Sequence, residues 1–220
     1  MNRALILDFG GVISRTLFET HDLSEAALGL PPGSLTWQGP FDPDDDALWR
    51  SMQAGEISER GYWAQRTAEV GDLAGRNWTQ MSDFVRAARG ADPDAVIRPE
   101  FRAAIAQAKA AGVRLAILSN ELDLFYGADF RKKLPFLIDF EVIVDATHTG
   151  ILKPDPRAYR ACLDQLDLPA GACVFVDDQR SNVDGARAIG LPVVHFNVAD
   201  PAASYTQALQ MLGLAEDLNP

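Results

Sequence analysis

Asp8 ends an apolar run and is followed, after Phe9, by two glycines, in "ILDFGGVIS" over residues 6–14. A carboxylate so placed can attack or bind, depending on which other groups converge on it. Three later stretches offer such groups. Ser119 and Asn120 close "VRLAILSN", Lys153 lies in "LKPDP", and Asp177 and Asp178 close "CVFVDD", with Asn182 four residues beyond. A carboxylate that attacks phosphorus needs a divalent cation to offset the phosphoryl charge and a further carboxylate to hold that cation. It also needs a hydroxyl or amide donor for the phosphoryl group and a fixed positive charge beside itself. The chain carries residues suited to all four tasks. Hard oxygen ligands point to Mg2+, which retains several waters and needs few carboxylates.

These groups matter only if the chain brings them together. Five apolar runs, 4–8, 113–120, 140–146, 173–178 and 192–196, read as buried parallel strands, each ending at a polar or glycine turn. Helical patterns separate the later ones. Pro99 opens a helix with Phe101, Ala104, Ile105 and Ala108 on one face, and Gly112 closes it. Asp155 caps a second, striped by Tyr159, Cys162, Leu163 and Leu166, and Asn182 could cap a third that stops at Gly190. This alternation predicts an α/β fold built on a doubly wound parallel sheet, with its chemistry beyond the carboxyl ends of the strands. Asp8, Ser119-Asn120 and Asp177-Asp178 fall at those ends of the first, second and fourth strands.

Residues 15–96 read differently. Helical patterns occupy about 22–29, 43–54, 58–70 and 79–90, and Trp37, Trp49, Trp63 and Trp78 all lie here, as in a separate small core. We expect a small helical cap domain inserted after the first strand and placed over the strand ends, with hinges near 14–20 and 91–98. The α/β core domain is then 1–14 and 97–220. "DPDDD" (42–46) reads as a solvated helix start, its acids favoured by the helix dipole.

A net charge of −11 argues against a nucleic-acid partner, yet leaves room for a small anionic substrate held by local positive charge. Apolar stretches of four to six residues fall well short of the roughly 20 needed to cross a membrane. "MNRALILDFGG" lacks the form of a secretory signal, and Cys162 and Cys173 give neither a disulfide framework nor metal-ligand spacing. A cytoplasmic location is expected. Nothing in the sequence bears on oligomeric state.

Together, "DFGGV", "LSN", "KPD" and "VDD" resemble the four motifs of the haloacid dehalogenase superfamily. "GILKPDPRAY" is especially similar to its phosphatase members that carry a helical cap after the first motif. The resemblance covers about 1–14 and 97–200, and the insert only by length and helicity. It implies a Mg2+-dependent phosphatase acting on a small phosphorylated metabolite through a phospho-aspartate. By position, Asp8 resembles the nucleophile and Lys153 the cation that orients it. Ser119 and Asn120 resemble the phosphate-binding pair. Asp8, the Gly10 carbonyl, Asp178 and, directly or through water, Asp177 resemble the metal ligands, with Asn182 a partner behind them.

One position departs from the pattern. Family phosphatases usually carry a second aspartate two residues after the nucleophile, which protonates the leaving alcohol and then takes a proton from the hydrolytic water. Here that residue is Gly10. Losing such a group commonly costs 10²–10⁴-fold, or roughly 3–5 kcal/mol of barrier. The expectation is a substrate with a good leaving group, such as a sugar-1-phosphate, aryl or acyl phosphate, as in similar bacterial sugar-1-phosphate phosphatases with glycine at this place. Two alternatives stand beside it. One is a weak or inactive protein that binds a phosphorylated ligand or partner. The other is a 2-haloacid dehalogenase, in which Asp8 attacks carbon and paired metal-holding acids have no use. His21 and Glu19 are the nearest groups that could replace the acid. His148 is expected to shape the loop before Lys153, and His195 to lie in or at the end of the last strand.

Overall fold

The computed structural model describes residues 2–89, 93–127 and 129–214. Met1, Ala128 and 215–220 of the expected core, Gly90 of the last helical pattern in the insert, and 91–92 of the expected second hinge lie outside them.

Five parallel strands, β1 (Ala4–Leu7), β2 (Arg114–Ser119), β3 (Val142–Asp145), β4 (Cys173–Asp177) and β5 (Val193–His195), form one sheet in the order β3-β2-β1-β4-β5. They answer the five apolar runs. Every residue of β1 and β4 is buried, which is why these strands are continuously apolar rather than alternating. The helices in chain order are α1 (His21–Leu28), α2 (Ala47–Gln53), α3 (Glu59–Leu73), α4 (Met81–Arg89), α5 (Pro99–Ala110), α6 (Leu122–Tyr126), α7 (Phe130–Lys133), α8 (Ala146–Thr149), α9 (Pro156–Leu166), α10 (Arg180–Ala188) and α11 (Pro201–Met211).

On the sheet face of Ala4, Ile6, Leu118 and Phe175, α9 lays down Tyr159, Cys162, Leu163 and Leu166, and α10 adds Ala186. The side chains of opposite parity meet the other layer, in which α5 and α11 contact each other and the sheet. Chain contacts divide the molecule into two compact units: Met1–Arg15, Ile97–Asp123 and Leu134–Pro220, which hold the sheet, and Thr16–Val96 with Leu124–Lys133.

The second unit is helical and has its own aromatic core. Phe18 meets Trp37 and Trp49 edge-on at 5.2 and 5.3 Å, Tyr62 and Phe84 are fully buried, and Trp63 and Trp78 pack against this cluster. Asp46 corrects the reading of its acidic run. Asp42, Asp44 and Asp45 are exposed, but Asp46 is buried. It caps α2 by accepting from the Trp49 N–H at 2.8 Å, and it also accepts from the Gly39 N–H, the Tyr62 hydroxyl and the Arg66 guanidinium. Four donors offset the cost of burying that charge. No helix among the described residues is long and apolar enough to cross a membrane.

One close approach fixes the loop that carries Lys153. A Cβ on Gly185 of α10 would come within 2.7 Å of Pro154 Cβ, 2.8 Å of the Pro154 carbonyl oxygen and 2.9 Å of the Tyr159 hydroxyl. Gly185→Ala should therefore force the helix and loop apart and lower stability by about 1–3 kcal/mol. Urea denaturation reads this directly, and an unchanged midpoint would show that the contact yields freely.

Candidate active site

Sheet register brings the first acids together. Leu7 pairs with Ile117 of β2 and Val176 of β4, so Asp8 lies one residue past β1 alongside Asp177, and the Asp8 N–H donates to the Val176 carbonyl at 2.9 Å. Ser119 ends β2 at the same edge, and its hydroxyl makes no hydrogen bond to protein among the described residues.

Lys153 joins the group from the loop before α9. Its ammonium, only 1% exposed, donates to Asp177 Oδ2 at 2.6 Å and lies 2.9 Å from Asp8 Oδ1. The Asn120 side chain clasps the backbone of Lys153: Oδ1 accepts from its N–H at 2.7 Å, and Nδ2 donates to its carbonyl at 3.2 Å. Asp177 is also saturated from the far side. Asn182 Nδ2 reaches both of its oxygens at 3.1 Å, and the Gln179 N–H donates to Oδ1 at 2.8 Å. Asn182 is thus not the helix cap that the sequence allowed. It lies inside α10, behind Gln179 at the N-cap, and turns its amide back onto Asp177. The Tyr159 hydroxyl in turn donates to the Asn182 carbonyl at 2.7 Å. Its place in an apolar stripe marked Tyr159 only as core, because its ring is core; nothing in the pattern singled out the hydroxyl.

The two glycines after Asp8 differ. Gly11 has φ +78°, and a Cβ there would fall 2.5 Å from Asp178 Oδ2, so Asp178 rests against bare backbone. Gly10 is outside the left-handed region, and a Cβ on it would meet no atom within 4 Å. The fold leaves room for a side chain at position 10.

Electrostatics make the site incomplete as protein alone. Carboxylate oxygens of Asp8, Asp177 and Asp178 can all lie within 4.8 Å of one another. Three carboxylates against the Lys153 ammonium leave two negative charges in excess. Burial, reinforced by Asp177 and opposed by Lys153, pushes the Asp8 carboxyl up to about 6. Burial also opposes the charge on Lys153, but Asp177 and Asp8 outweigh it and hold its pKa above the usual lysine range. A hard divalent cation matches both the charge excess and the oxygen donors.

Asp123, Asp145 and His148 form a second group of possible ligands. Asp145, however, already accepts from the N–H groups of Leu122, Asp123 and Thr147, and His148 Nε2 lies 2.6 Å from Asp123 Oδ2. This group braces the turn after β2, so His148 acts there as well as on its own loop. Glu19 bonds the Thr16 N–H and hydroxyl, and the His21 ring packs edge-on against Trp37 at 4.3 Å. His195 ends β5, with Nε2 3.0 Å from the Asp178 carbonyl.

The chain belongs to the haloacid dehalogenase-like hydrolase family, whose model matches residues 3–190. It is 34% identical to acyl-CoA dehydrogenase family member 10 of Mus musculus over 94% of this chain, but spans only 19% of that protein. It is 37% identical to the plasmid-encoded protein CbbY of Cupriavidus necator over 87% of this chain and 77% of the relative. Identity to (S)-2-haloacid dehalogenase 1 of Pseudomonas sp. is 34%, over 94% and 90%. The fold is shared with the L-2-haloacid dehalogenase of Xanthobacter autotrophicus, with a TM-score of 0.59 and 18% identity over 89% of this chain and 78% of that one.

The raised Asp8 carboxyl carries a stability consequence. With its pKa moved from 3.8 to about 6, the native protein holds a proton that the unfolded chain has released, so stability falls as pH rises between these values. Asp8→Asn should then raise the melting temperature of the cation-free protein at about pH 8, with the gain vanishing near pH 4. Thermal melts across pH test this, and an equal gain at both ends would place its origin elsewhere.

Proposed function

We propose that this chain is a Mg2+-dependent phosphatase that hydrolyses a small phosphorylated metabolite through a phospho-aspartate on Asp8. The observation that carries the reading is the cluster of three carboxylates at the carboxyl edge of the sheet, two of which, Asp8 and Asp177, share one buried lysine. Asp8, Asp178 and the Gly10 carbonyl would hold the cation, with Asp177, whose two oxygens already accept four hydrogen bonds, acting through water. Bound there, Mg2+ would offset the charge of the phosphoryl oxygens.

The protein's own groups do the rest. Lys153 keeps Asp8 ionised and aimed, while the Ser119 hydroxyl and the Asn120 backbone N–H receive the phosphoryl group. An Asp8 oxygen attacks phosphorus, and the bond to the leaving oxygen breaks with its electron pair going to that oxygen. Water then attacks the same phosphorus, the bond to Asp8 breaks, and inorganic phosphate and the free carboxylate are released. Asn182 and Gln179 hold Asp177 throughout. The helical unit would supply substrate selectivity.

Gly10 divides the two steps. A leaving group of low pKa departs without a proton, so the first step tolerates the missing acid. The second step always uses water, and no choice of substrate compensates for the missing base. A sugar-1-phosphate, aryl or acyl phosphate is therefore the favoured substrate class. A second reading, attack of Asp8 on the carbon of a 2-haloacid, is favoured by the 34% identical dehalogenase. It gives the excess charge of Asp177 and Asp178 no task.

With Mg2+, the protein should turn over p-nitrophenyl phosphate, and both EDTA and Asp8→Asn should abolish activity. EDTA-insensitive release of chloride from 2-chloropropionate would support the second reading instead. A silent protein that is stabilised by a phosphorylated ligand would mean binding without turnover.

Across phosphate esters, kcat/KM should fall steeply as the leaving-group pKa rises. Gly10→Asp should flatten that slope and speed alkyl phosphates by about tenfold or more. Rapid mixing of the wild type should show a burst of nitrophenolate close to one per site, because phospho-Asp8 accumulates. A slope already flat in the wild type would reveal a general acid elsewhere.

A further inference from the structure

The loop that follows Asp8 is pinned by residues outside the four motifs. Arg98, just before α5, is 2% exposed. Its Nε–H donates to the Gly11 carbonyl and its backbone N–H to the Ile13 carbonyl, both at 3.0 Å. Between these, the Val12 carbonyl accepts from the Tyr205 hydroxyl of α11 at 2.9 Å. Phe196 packs edge-on against the Tyr205 ring, and the Arg98 guanidinium lies 5.5 Å from the centre of the Phe196 ring, so the two pins share one support. The Ser14 N–H closes the turn onto the Phe9 carbonyl at 3.0 Å. The carbonyls of Phe9, Gly11, Val12 and Ile13 thus all have protein donors. That of Gly10 has none among the described residues.

We propose that Arg98, supported by Tyr205, is a positioning residue for the cation site: it orders the two-glycine turn so that the Gly10 carbonyl stays available to the metal and Gly11 stays against Asp178. The inference rests on the reading of Asp8, Gly10 and Asp178 as Mg2+ ligands. Consecutive glycines have the widest backbone freedom of any pair, and fixing them is costly in entropy. If the turn were loose, the arriving cation would have to supply that ordering, and its affinity would drop accordingly. Arg98 does this ordering in advance, through a planar group whose Nε–H has a fixed direction. A lysine in its place keeps the charge but loses that direction.

The test is calorimetric titration of Mg2+ into the full chain. Arg98→Lys should bind Mg2+ about tenfold more weakly than the wild type. Excess Mg2+ should restore kcat, and KM for p-nitrophenyl phosphate at saturating Mg2+ should stay within about twofold. Tyr205→Phe removes a single hydroxyl and guards against a misfolded lysine variant; it should weaken Mg2+ about threefold. A purely structural role would lower melting temperatures yet leave Mg2+ affinity unchanged in both variants, which would overturn the proposal. Failure of the wild type to bind Mg2+ at all would instead overturn the site reading, and this inference with it.

Discussion

The Lys153 ammonium, held between Asp8 and Asp177, is the contact on which the rest of the architecture depends. Buried ions are tolerated only where their partners and hydrogen bonds are nearly complete. Much of the surrounding structure secures that completeness. Asn120 fixes the lysine backbone, Asn182 and Gln179 fill the remaining positions on Asp177, and Tyr159 supports Asn182 from within the apolar layer. The side-chain-free face of Gly185 lets helix and loop come close enough for this. Even so, the negative charge is not balanced, and burial beside Asp177 raises the pKa of Asp8 despite the Lys153 ammonium.

Position 10 then becomes a chemical choice rather than a steric one. Gly11 is required, because its conformation and the approach of Asp178 leave no place for a side chain. Gly10 is under neither constraint. Two adjacent glycines in one turn answer to different pressures: the second serves the backbone, while the first leaves out a side chain for which the fold has room.

The strands were legible in the sequence because both faces of the sheet are covered, so each strand is a short unbroken apolar run. The acids at their ends were legible because each closes such a run, although Asp145 closes β3 in the same way and serves the neighbouring turns instead. What stayed hidden were groups whose role depends on distant partners. Asp46 looked like one of a row of solvated acids, since nothing local shows that Tyr62 and Arg66 reach it from the next helix. Asn182 had the form of a helix cap, and only the placement of α10 against β4 turns it onto Asp177. Arg98 and Tyr205 carried no signal at all, because the groups they bind are main-chain carbonyls more than eighty residues away in sequence.

The pairing of Ser14 with Ile97 carries one last consequence. The chain leaves the sheet unit and returns to it through two segments bridged side by side, so the eighty or so residues between them begin and end at a single seam. Closing a loop from such a seam depends only logarithmically on its length, about 0.6 kcal/mol for each doubling. The sheet can therefore host inserts of quite different size at this doorway while the edge that carries the clustered acids stays as it is.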